Sequence, residues 1–185
     1  EIMRRAYKYM KGEGVPKDEK KGFNLYLKAA QLGDPGAIRS VGNCYLNGYG
    51  VTKNIYKAHE YYPKAAKGGD KVAQHLLGRA YYLGRGGFPK DSRKAFEWFK
   101  KASAAGYSES HKYVGAAYVH GHGCKVNYQL ARKYLEKAME AKGDKADTSA
   151  RVLLAQLYER GYGGPMNKSK AIEHYKKAAE KHNKD

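Results

Sequence analysis

A Gly-x-Gly turn recurs five times along the chain at nearly even intervals, and this recurrence limits the possible folds more than any other feature. Its first glycines are Gly12, Gly48, Gly84, Gly121 and Gly161, spaced by 36, 36, 37 and 40 residues. A tyrosine stands three residues before each: Tyr9, Tyr45, Tyr81, Tyr118 and Tyr158. A glycine or alanine stands six before: Ala6, Gly42, Gly78, Gly115 and Ala155. A Lys-Ala pair follows sixteen later, as in Lys64-Ala65, with Lys101-Ala102 displaced by one. A period of this length marks stacked supersecondary units that share one core.

Each unit reads as two antiparallel helices. In the second copy, Asp34 is placed to cap a helix running from Pro35 to Asn47, with proline at the first helical position. Ala37, Ile38, Val41, Gly42 and Tyr45 follow helical spacing. Gly48 and Gly50 reverse the chain, Val51 packs beneath, and Asn54 caps a second helix. That helix turns Ala58, Tyr61, Tyr62, Ala65 and Ala66 inward. Asp18, Asp91, Asn127 and Asn167 are the equivalent caps elsewhere. Glycine inside a helix costs about 1 kcal/mol against alanine, so Gly42, Gly78 and Gly115 imply a bulky neighbour pressed against the backbone. The 18 tyrosines are expected to be mostly framework. Pro63 should kink its helix or restart it. The third and fifth turns each carry one extra residue, and a polar insertion within 142–148 lengthens the loop before the fifth unit.

Hydrophobic residues make up 42% of the 185, which excludes a disordered tail. No apolar run is long enough to span a membrane. Lys plus Arg total 36 against 18 acidic residues, a net charge of +18 that draws acidic proteins, nucleic acid or anionic lipid, unless it merely solvates lysine-rich helices. Cys44 and Cys124 sit two copies apart, too far for a disulfide, and read as small buried apolar residues. His120-Gly121-His122-Gly123-Cys124 offers zinc-type ligands. Its spacing fits no standard site and coincides with the turn, so neither metal nor cofactor is expected. No nucleophile and base are paired by spacing, and no enzyme is expected.

The pattern Val41-Gly42-x-x-Tyr45-x-x-Gly48-x-Gly50-Val51, followed by Lys57-Ala58 and Lys64-Ala65-Ala66, resembles the Sel1-like repeat. Leu77-Gly78-x-x-Tyr81-x-x-Gly84-x-Gly86 and Lys177-Ala178-Ala179 match as well. The resemblance implies an all-α, right-handed α-solenoid of about five antiparallel helix pairs, related to tetratricopeptide arrays. It implies one repeat domain over 1–185, with repeats at about 1–34, 35–70, 71–107, 108–144 and 145–185. It also implies an adaptor or scaffold, in bacteria often exported or engaged in host contact. Glu1 lies inside a repeat, which points to a processed chain or a piece of a longer one.

In arrays of this kind the first helix of each pair lines the concave face. The positions not used by the framework lie nine, five, two and one before each turn glycine. They include Met3, Tyr7, Met10 and Lys11 in the first copy, then Arg39, Asn43, Leu46 and Asn47 in the second. The third contributes His75, Arg79, Tyr82 and Leu83, the fourth Lys112, Val119 and His120, and the fifth Gln156 and Arg160. Such a mixed face suits a protein or peptide partner of acidic character, with Arg39, Arg79 and Lys112 meeting its carboxylates. Two alternatives stay open: a basic surface for nucleic acid or anionic partners, and a bacterial immunity or inhibitor protein.

Overall fold

The computed structural model describes residues 1–142 and 147–182. Most of the polar insertion before the fifth unit, and the terminal Asn-Lys-Asp, lie outside the described residues. The fold is all-α: ten helices, with no strand among the described residues. They are α1 (Ile2–Lys11), α2 (Glu19–Gln31), α3 (Pro35–Asn47), α4 (Ile55–Lys67) and α5 (Lys71–Leu83). There follow α6 (Ser92–Ala104), α7 (Glu109–His120), α8 (Tyr128–Lys142), α9 (Thr148–Arg160) and α10 (Lys168–His182). They fall into two compact units, residues 1–90 and 91–185.

The helix boundaries follow from local chemistry. Asp34, Asp70 and Asp147 accept the backbone N–H of Ala37, Ala73 and Ala150 and so begin α3, α5 and α9. Asp18, Asn54, Asp91, Asn127 and Asn167 do the same for α2, α4, α6, α8 and α10. All five turn glycines are left-handed, with φ between 65° and 81°. Each ends its helix where a side chain would be strained. The second turn glycine has another duty. A Cβ on Gly50 would overlap the backbone of Glu19, one on Gly123 that of Ser92, and one on Gly163 that of Tyr128. In the second, fourth and fifth copies the turn thus rests on the first residue of the preceding repeat's second helix.

In the first unit α1 packs on α2 and α3 on α4, with α2–α3 and α4–α5 joining successive pairs. The pairs are antiparallel: Tyr45, late in α3, meets Lys57, early in α4. Ala6, Phe23, Tyr26, Val41 and Cys44 form one core cluster, with Tyr45, Val51 and Tyr61 against it. Two of the three mid-helix glycines, Gly42 and Gly115, have the neighbours their cost implies. Tyr62 Cε1 lies 3.0 Å from where a Gly42 Cβ would be, and Leu135 Cγ 2.7 Å from that of Gly115. Tyr45 is held edge-on by Phe23 and stacked on Tyr61, at 5.5 and 5.7 Å between centroids. In the second unit Tyr118 is held likewise by Phe96 and Tyr134. These tyrosines are framework. Here the core runs through Val114, Leu135 and Leu154, all buried.

One expectation narrows and one changes. α4 runs on through Pro63, so the helix does not restart there. Cys44 is buried, and burial pushes its thiol up to about 11, but Cys124 is only half-buried.

Candidate functional site: a cavity between the first helices of repeats one and two

Within the first unit a cavity of about 620 Å³ opens between α1, α3 and the start of α2. Its walls are the unshared helix positions of the first copy, Met3, Tyr7, Met10 and Lys11, facing Arg39 and Asn43 of the second. Tyr26 and Cys44 form a buried floor. Tyr7 and Tyr49, each nearly half exposed, stand at the rim with Lys11 and Lys17. Lys17 pairs with Glu19 at 2.8 Å. Such a volume is in the range that takes a small ligand or a few side chains of a peptide. Burial raises the Tyr26 hydroxyl pKa and takes Tyr62 up to about 12, so both are neutral donors at ordinary pH. Tyr62 spends its proton on Asn43 Oδ1 at 2.9 Å, which fixes the Asn43 amide in the wall.

The sequence-derived face is only partly assembled here. Arg39 and Asn43 line the cavity. Leu46 is half-buried, and Asn47 is exposed with its amide on the Asn43 carbonyl. His75, expected on the face, is buried at 6% exposure. Arg79, Tyr82 and Leu83 are exposed along α5. In the second unit Val119 is half-buried, while His120, Gln156 and Arg160 are exposed. His120 and His122 stand 5.4 Å apart between ring centroids, and no cluster of three metal-ligating side chains occurs among the described residues.

Two of the three cations expected to meet a partner's carboxylates already hold carboxylates of this chain. Arg39 Nε donates to Asp70 at 3.0 and 3.1 Å, and Lys112 Nζ donates to Asp147 at 2.7 Å. Asp70 and Asp147 are the caps of α5 and α9, so each cap also ties the first helix of one repeat to that of the next. Partial burial disfavours the Asp147 carboxylate. The Lys112 and Ser149 side chains and the Ala150 N–H outweigh that and hold its pKa at about 2.

A further set of positions carries no sequence signal. Ten residues before the turn glycine stand Ile2, Ile38, Gln74, His111 and Arg151. Gln74 donates to the Ala66 carbonyl at 3.2 Å, and His111 Nδ1 lies 2.7 Å from the Ser103 hydroxyl. Gln74 and Arg151 are buried and His111 half-buried. Burial, aided by Lys137, lowers the His111 pKa and so favours the neutral ring. Ile2 and Ile38 give way to three different polar residues in the last three copies, which repeats no pattern and so marks no site.

The Sel1 repeat profile aligns with residues 3–34, 35–70, 71–107, 108–142 and 148–183. Among solved structures, a protective antigen of uropathogenic Escherichia coli with an SLR fold is 28% identical, with a TM-score of 0.81. The alignment covers 97% of this chain and 38% of that one. A Sel1 repeat protein from Oxalobacter formigenes is 32% identical over 97% of this chain and 71% of its own, with a TM-score of 0.78. An immunity protein from Pseudomonas aeruginosa, 20% identical over 96% of this chain and 63% of its own, shares the fold at a TM-score of 0.52. The chain therefore spans well under half of the antigen's length. No curated protein matches it. Repeats of this type commonly mediate protein–protein interaction and are generally not enzymes.

Proposed function

Because the chain belongs to the Sel1 repeat family, we propose that it is a non-enzymatic scaffold that seats a protein or peptide segment in the cavity between α1 and α3. One observation carries the reading. Six of the helix positions that the repeat framework leaves unshared, from the first two copies, wall the cavity. The Met3 and Met10 walls and the Tyr26 floor suit an apolar anchor, and Tyr7 and Tyr49 flank it. Lys11, exposed at the mouth, and the basic charge of the whole chain favour acidic residues beside that anchor.

The test is a peptide array of apolar residues flanked by Asp or Glu, probed with the full chain and with Tyr7→Ala/Lys11→Glu. The double variant should lose tenfold or more in affinity, since central aromatic anchors cost over 1 kcal/mol when truncated. Arg79→Ala/Tyr82→Ala reports whether the site continues along α5. Unchanged binding in both variants, with unchanged melting, would sink the reading.

A further inference from the structure

The second unit carries a surface that the cavity does not explain, on the edge formed by its turns. One position in each copy covers the turn glycine from outside. In the first three copies it is Lys17, Lys53 and Lys90, whose Cβ atoms approach the space over Gly12, Gly48 and Gly84 at 3.1–3.4 Å. In the last two it is Val126 and Met166, which cover Gly121 and Gly161 at 3.2 and 3.4 Å. The glycine is shielded equally well in both cases, because a lysine stem does the same work. Yet Val126 is 49% exposed and Met166 61%, so the change from lysine leaves apolar surface in water.

These two do not stand alone. Tyr128 and Tyr162 stack at 4.6 Å and 17° while both remain more than one-third exposed. They are locked together because Gly163 rests on the Tyr128 carbonyl. Beside Val126 lies a hollow of about 440 Å³, where the fourth turn meets the start of α6. Arg93, Lys125 and the turn residues Gly121, Gly123 and Cys124 line it. Both cations are exposed.

We propose that this edge docks on an anionic lipid bilayer, with Val126, Tyr128, Tyr162 and Met166 entering the interface and an acidic headgroup in the Arg93–Lys125 hollow. The strip sits on turn tips, with a cationic hollow beside it. That arrangement suits shallow insertion into a surface, with tyrosines at headgroup level. A second copy is opposed by its own charge of +18, whereas anionic lipid is attracted by it. No described helix is long and apolar enough to cross a membrane, so the contact is peripheral.

Co-sedimentation of the full chain with vesicles of phosphatidylcholine plus phosphatidylglycerol, and of phosphatidylcholine alone, tests this. Binding is expected to the first and to be at least tenfold weaker to the second. The decisive variant is Val126→Lys/Met166→Lys, which installs what the first three copies carry and adds two positive charges. It should melt as the parent does and bind the anionic vesicles about tenfold less. Arg93→Gln/Lys125→Gln should weaken binding about fivefold per cation removed. Absent binding to anionic vesicles, equal binding to both vesicle types, or binding by the lysine variant as strong as the parent's would each overturn the proposal. The last outcome would mean that net charge alone attracts lipid.

Discussion

Asp147 shows how much one side chain does in this molecule. It starts α9, holds Lys112 of α7, and has a pKa of about 2 against an ordinary value near 4. A carboxylate whose pKa is lower in the folded state stabilises above its unfolded pKa and loses that contribution as pH falls. The second unit should therefore weaken between about pH 4 and pH 2, by about 1 kcal/mol after allowing for solvent screening of this partly exposed pair. Asp147→Asn should flatten that part of an acid-unfolding curve. A second residue-level expectation separates backbone strain from contact. Gly14 and Gly50 have nearly the same positive φ, but the space over Gly14 is open and that over Gly50 holds the Glu19 backbone. Gly14→Ala should cost about 1 kcal/mol and Gly50→Ala several times that, read from urea melts. Caps were legible in the sequence because cap and helix lie three residues apart. The Arg39–Asp70 and Lys112–Asp147 pairs span 31 and 35 residues and needed the stacking of repeats to be seen.

At the level of elements, the two long turns are matched to a change in the helix beneath them. Five residues after each second-helix cap, the first and third copies carry Phe23 and Phe96, which meet the next copy's tyrosine edge-on. The second and fourth carry His59 and Arg132, and each reaches the extra length of the following turn. His59 Nδ1 lies 2.7 Å from the Gly86 carbonyl oxygen, and Arg132 Nη1 donates to the Pro165 carbonyl at 3.2 Å while lying over Tyr158. The sequence displayed both insertions but not their partners, which lie in the preceding repeat. His59→Phe, though it copies its neighbours, should cost about 1–2 kcal/mol by leaving that carbonyl short of a donor. Pro63→Ala should raise the stability of the first unit by about 1–3 kcal/mol, because α4 already runs through that position and regains a donor there. Thermal melts of each variant check both.

For the whole molecule, the period in the sequence carried the all-α repeat fold, because every framework residue is repeated and each copy corroborates the others. The candidate site was less legible because its positions are the ones that differ between copies. The internal pairing of Arg39 and Lys112 depends on contacts that no single repeat contains. The net charge of +18 predicts self-repulsion, so moderate salt should raise the melting temperature until screening is complete. The double use of the helix caps has a further result. A boundary between folded and unfolded repeats behaves like a domain wall in a one-dimensional chain of coupled spins, with an energy set by the junction it crosses. Melting the start of α5 releases Arg39, and melting the start of α9 releases Lys112. Met3 holds the corresponding place between the first two copies and supplies no charge. Within the first unit the wall is thus cheaper beside the first repeat than beside the second, and amide exchange should show α1 and α2 opening at lower free energy than α3 and α4.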